Sequence, residues 1–116
     1  MKQTESLKNN QEFKEIYRTG KSYANKNLIM YVKRNESSKN RIGISVSKKV
    51  GNSVVRHRIT RLIRESYRLS EEQIFSGWDI VVVARINAKD KNFSEIDSSL
   101  LHLAKLHKIL KDNGNI

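Results

Sequence analysis

The 116-residue chain contains no cysteine and no proline. Without thiols it has no disulfide framework, zinc ribbon, thiolate cluster or cysteine nucleophile. Apolar runs are short: the longest, Ile80-Val81-Val82-Val83-Ala84, falls far below the about 20 residues of a membrane-spanning helix. The first residues, Met1 to Ser6, carry no apolar stretch of the secretory kind. Acidic residues are also scarce, 12 Asp+Glu against 23 Lys+Arg, for a formal net charge of +11. These shortages predict one cytoplasmic domain spanning residues 1–116, with a polyanion rather than a membrane as partner.

What is present is unevenly placed. Residues 41–68 hold eight basic residues and one acidic residue, whereas residues 69–116 hold six basic and seven acidic. Five of the nine arginines lie between Arg56 and Arg68. Arginine presents a planar fork of donors suited to phosphate, so the excess sits where phosphates would be gripped. The nearly neutral C-terminal third reads as scaffold.

Hydrophobic periodicity predicts helix, strands, helix, strand, helix: an α+β sandwich. Asn9-x-x-Glu12 starts a first helix as a capping box, with Phe13, Ile16 and Tyr17 at helical spacing and Gly20 as a left-handed cap. Strands follow at residues 28–32 and 41–47, and a central strand at 79–84. Residues 53–68 form the clearest helix, with Val55, Ile59, Leu62 and Ile63 on one face and His57, Arg61, Arg64 and Arg68 on the other. Ser94-x-x-Asp97 is expected to cap a last helix running to about Lys111, with Ile96, Leu100, Leu103 and Leu110 inward.

The basic helix is the strongest constellation. Lys48-Lys49-Val50-Gly51-Asn52-Ser53 leads into its N-terminus, where exposed amides and the helix dipole favour anions. Arg56 and Arg58 open it, and Arg61, Arg64 and Arg68 are like charges at neighbouring positions with only Glu65 nearby. Such neighbours destabilise a helix, which points to an external anion that offsets them. Phe13 and Tyr17 share a helix face, and Tyr31 lies on the strand face opposite Leu28 and Met30. Spacing alone allows these rings to be core packing or a stacking platform for unpaired bases. Catalytic and metal constellations are thin: His102 and His107 are five apart, and Glu71, Glu72 and Asp79 read as solvated acids. A DNA-reading helix is disfavoured because strand and loop, not helix and turn, precede residue 53.

From Lys48 through Val55-Arg56-His57-Arg58 to Arg61, Arg64 and Glu65, the sequence resembles the bacterial ribonuclease P protein subunit family. That family carries a Lys-Lys-x-Gly loop, then Val-x-Arg-Asn-Arg, then arginines three and six residues further on. Phe13 to Ser22 looks like its aromatic first helix, and Gly77-Trp78-Asp79-Ile80-Val81 like its entry to the next strand. The resemblance implies an α-β sandwich of the kind seen in a ribosomal protein domain, with a left-handed β-α-β crossover. It implies a monomeric protein that joins a catalytic RNA and promotes endonucleolytic removal of the 5′ leader of precursor tRNA. The RNA supplies the active site and binds the Mg²⁺, and the protein alone holds no metal and no catalytic residue. By resemblance Lys48, Lys49, Arg56, His57, Arg58, Arg61, Arg64 and Arg68 bind the catalytic RNA, and Phe13, Tyr17 and Tyr31 bind the leader. His57 stands where the family has Asn. An imidazole donates or accepts a hydrogen bond but cannot present an amide's donor and acceptor together. A ribosome-associated or general structured-RNA-binding protein is the alternative the basic helix also allows.

Overall fold

The computed structural model describes residues 3–111. Its elements run β1 (Thr4–Ser6), α1 (Asn10–Thr19), β2 (Lys21–Ala24), β3 (Leu28–Arg34), β4 (Asn40–Ser45), α2 (Ser53–Ser70), β5 (Trp78–Ala84) and α3 (Phe93–Leu106). Short 3-10 turns at Glu71–Gln73 and Ile86–Ala88 flank β5. The strands form one sheet in the order β1-β4-β5-β3-β2. Strand β5 is its centre, parallel to β4 and antiparallel to β3. Adjacent parallel strands need a crossover, and β4–α2–β5 is that β-α-β unit.

Alternation along the strands sorts side chains between two faces. Leu28, Met30 and Val32 of β3, with Ile80 and Val82 of β5, face α2 and α3 and join Ile59, Ile63, Tyr67, Ile96, Leu100 and Leu103 in the main core. Tyr31 and Val83 face the other way, toward α1, where Leu7, Ile16 and Val81 form a second, much smaller cluster.

Local signals set most boundaries. Asn9 caps α1, its side chain accepting from Glu12 N–H while the Glu12 carboxylate accepts from Asn9 N–H. Gly20 does end α1, but not in the left-handed region: it is extended, at φ −80° and ψ 159°. Glycine is required there for space, since a Cβ would lie 2.6 Å from the Ile16 carbonyl oxygen. Helix α3 starts one turn-fragment early, capped by Asn92 with Glu95 rather than by Ser94 with Asp97. It also stops at Leu106, short of the expected Lys111, because Lys108 turns left-handed at φ 61°. Ile109 and Leu110 then fold back, with Leu110 bridging Ile74.

Candidate nucleic-acid interface

Helix α2 starts from an Asn52 cap whose side chain accepts from Val55 N–H, and its first turn holds no acidic residue. Its positive dipole end therefore adds to the charge of Lys48 and Lys49, which precede it in the chain, and of Arg56 and Arg58 in its first turns, with no acidic residue in the first turn to balance them. Lys48 and Lys49 are exposed beside the buried Val50, which fixes their loop to the core. His57, Arg61 and Arg64 are exposed and make no hydrogen bond or ion pair among the described residues.

The other arginines of the row are partly committed. Arg58 donates to the carbonyls of Lys91 (2.6 Å) and Lys89 (3.5 Å), tying α2 to the loop before α3. Arg68 forms a paired contact with Glu65, at 2.9 and 2.7 Å. That pair lowers the Glu65 carboxyl through the Arg68 hydrogen bonds. Arg56 is half-buried, and its Nε is the one buried side-chain nitrogen without a partner among the described residues.

The three predicted aromatics come together on the α1 face. Phe13 and Tyr17 have ring centroids 6.4 Å apart, and Tyr17 meets Tyr31 edge-on at 4.9 Å. Phe13 and Tyr31 pack on the small cluster, whereas Tyr17 is 38% exposed. They thus serve as packing on one side and leave ring surface open on the other. A depression of about 410 Å³ runs beside them, lined by Asn10, Phe13, Lys14, Tyr17, Ile44 and Ser45. The aromatics and the basic row do not merge into one cluster; the end of β4 connects them, since Ser45 borders the aromatic depression and Lys48 follows three residues later.

Two supporting residues escaped sequence reasoning. Gly43 of β4 lies under the Phe13 ring, where a Cβ would come within 2.4 Å of Cζ. A glycine inside an otherwise alternating strand is the available signal for such a close approach. Gly43→Ala is therefore expected to displace Phe13 and destabilise the fold by about 1–3 kcal/mol, as overpacking does. Chemical denaturation with fluorescence checks the stability.

Arg41 is the second. Its Nε and Nη2 donate to both carboxylate oxygens of Asp79 (2.9 and 2.6 Å), and its Nη1 donates to Glu12 (2.7 Å). Burial pushes the Asp79 carboxyl up, but hydrogen bonds from Arg41 and Asn35 outweigh this and hold it below the usual range. The sequence expectation of a solvated Asp79 is corrected here, because the residue is buried. Glu12, already in the α1 cap, is lowered by the Lys8 backbone N–H, the Asn9 N–H and Arg41. The cap of α1 is thereby locked to β4 and β5. Among the described residues no group of three His, Asp or Glu side chains could hold a metal ion.

The family model described as Ribonuclease P matches residues 1–108. The chain belongs to the ribonuclease P protein family. The ribonuclease P protein component of Lachnoclostridium phytofermentans is 66% identical over 110 residues, 95% of each chain. That of Clostridioides difficile is 48% identical over 103 residues, covering 88% of this chain and 90% of the other. Among solved structures, the Staphylococcus aureus RNase P protein matches with a TM-score of 0.85 at 41% identity, over 91% of this chain and 97% of that one. The Thermotoga maritima RNase P protein matches with a TM-score of 0.80 at 29% identity, over 87% and 96%. The ribonuclease P fold is thus shared across the described sheet and helices, and no helix among the described residues is long and apolar enough to cross a membrane.

Proposed function

We propose that this chain acts in the cytoplasm as the protein subunit of ribonuclease P, binding the catalytic RNA and the single-stranded 5′ leader of precursor tRNA. The observation that carries this is the row of His57, Arg61 and Arg64, exposed and unpartnered among the described residues, on the helix that the exposed Lys48-Lys49 loop leads into, in a chain of the ribonuclease P family. Those five side chains and Arg56 grip phosphates of the catalytic RNA. Arg58 orients the helix through the Lys89 and Lys91 carbonyls, Arg68 is held along the helix by Glu65, and both meet the RNA with their remaining donors. Phe13, Tyr17 and Tyr31 offer ring surface on which leader bases stack, a contact worth about 1–3 kcal/mol per base. Among the described residues no carboxylate and histidine cluster could hold a catalytic metal, and the hydrolytic step is assigned to the RNA and the Mg²⁺ it binds. The protein's part is to hold RNA and leader in register.

The test reconstitutes the chain with its catalytic RNA at low Mg²⁺ and follows cleavage of precursor tRNA with and without a leader of several nucleotides. Stimulation that depends on the leader supports the reading. RNA binding with no stimulation leaves a general RNA-binding protein. Within the same assay, Tyr31→Leu is expected to weaken long-leader substrates by about fivefold or more while sparing leaderless RNA, from the loss of one stack. Equal loss on both substrates would assign Tyr31 to packing alone.

A further inference from the structure

The turn joining β2 to β3, Asn25-Lys26-Asn27, is braced from three directions. Asn25 Oδ1 accepts from the N–H groups of Asn27 and Leu28, at 3.2 and 3.0 Å. Asn25 Nδ2 donates to the Ser99 carbonyl (3.0 Å), and Asn27 Nδ2 donates to the Ser99 hydroxyl (2.8 Å), fastening the turn to α3. From the end of β5, Arg85 Nη1 donates to the Asn25 carbonyl and Asn87 Nδ2 to Asn27 Oδ1, each at 2.8 Å. Lys26 stands at the tip of this bracket, exposed, with no hydrogen bond or ion pair among the described residues.

Two depressions meet at that lysine. One of about 840 Å³ is lined by Lys26, Arg85, Lys91 and the three bracket asparagines; its only carboxylate, Glu95, is turned into the α3 cap. The other, about 310 Å³, shares Lys26, Arg85 and Asn87 and is bounded by Lys49 and Ile29. Ile29 lies two residues before Tyr31 on the same strand face, so this surface joins the aromatic cleft to the Lys48-Lys49 loop and carries on to Lys26.

We propose that the β2–β3 turn is a binding site for the phosphate backbone of RNA, built on Lys26 with Arg85 and Lys91 at its sides. This rests on the ribonuclease P reading and extends it beyond the basic helix. A braced turn presents its cation with little backbone left to order on binding. The site also revises the neutral C-terminal third. Three of its six basic residues, Arg85, Lys89 and Lys91, follow the end of β5 together with Asp90 and Glu95, whereas Glu71, Glu72 and Asp79 lie before or at the start of that strand. Lys91 keeps only a loose 3.7 Å contact with Asp90.

The experiment measures affinity against monovalent salt for the reconstituted holoenzyme, with wild type, Lys26→Gln, Lys26→Arg and the control Lys105→Gln. Each is tested on the catalytic RNA alone and on precursor tRNAs with no, short and long leaders. One lost phosphate contact removes about 0.7–0.9 from the log–log salt slope. Between 50 and 200 mM salt, the affinity of Lys26→Gln should therefore fall about threefold less than that of wild type, with Lys26→Arg restoring the wild-type slope. A change already present on the catalytic RNA assigns the phosphate to it; a change confined to long leaders assigns it to the leader. An unchanged slope for Lys26→Gln on every RNA, or an equal change for Lys105→Gln, overturns the proposal. Wild-type protein that fails to stimulate cleavage at all overturns the ribonuclease P reading instead, so the two failures are distinguishable.

Discussion

Arg61→Gln combined with Arg64→Gln is expected to flatten the salt dependence of catalytic-RNA binding by about 1.4–1.8 units, two phosphate contacts at 0.7–0.9 each. Between 50 and 200 mM salt, the affinity of the double variant then falls about tenfold less than that of wild type. Both side chains are exposed and have no hydrogen-bond or ion-pair partner among the described residues, so little folding free energy rests on their charge. Their removal also relieves like-charge neighbours on α2, and the isolated variant should melt at or slightly above the wild-type temperature. Loss of binding without loss of stability separates a functional face from a structural one. An unaltered slope would mean that the basic face is idle. Filter binding across a salt series and thermal melting provide both readouts.

Arg41→Met produces the largest expected change in stability. The Asp79 side chain is only 6% exposed and receives two of its hydrogen bonds from Arg41, which is 34% exposed. Removing one partner of a buried pair leaves an uncompensated charge and costs about 3–5 kcal/mol; the partial exposure of Arg41 places this case near 3. For a chain of this length, that corresponds to a loss of about 12 °C in Tm. The pH dependence identifies the cause. In wild type the folded Asp79 pKa is depressed, so its contribution is complete above the unfolded value of about 4 and fades as pH falls through the lower folded value. In the variant, burial acts without the guanidinium and raises the Asp79 pKa, so protonation relieves the folded state. The gap between the two proteins should narrow as pH falls. A gap independent of pH would place the effect elsewhere.

Features written in neighbouring residues were legible before the structure. The Asn9–Glu12 capping box, the two faces of α2 and the doubly covered β5 depend on local spacing or on a continuous apolar run, and all three are present. Strand β1 was not legible, because Thr4-Glu5-Ser6 has no apolar alternation and becomes a strand only by pairing with distant Asn40, Arg41 and Ile42. Edge strand β2 is likewise mostly polar and takes its register from β3. At α3 two cap patterns of identical spacing compete, and the sequence cannot rank Asn92 with Glu95 against Ser94 with Asp97. The early end of that helix rests on Lys108 in a left-handed conformation, which no glycine announces.

At the site, the sequence supplied which residues are basic or aromatic but not which of them are free. Arg58 and Arg61 look alike along the chain, yet one holds two carbonyls and the other faces solvent. Gly43 and Arg41 act only through partners about 30 or more residues away, Phe13, Glu12 and Asp79, so their roles needed the folded geometry.

The two faces of the sheet are unequally anchored. Among the described residues, eighteen buried side chains join the core under α2 and α3, against three beneath α1. Local opening follows the thinner side, because few apolar contacts must be broken there. On that thinner side the Glu12–Arg41–Asp79 ties carry a larger share of what holds α1 to the sheet than any polar contact does under α2 and α3, so amide exchange in α1 is expected to quicken most when Arg41 is replaced.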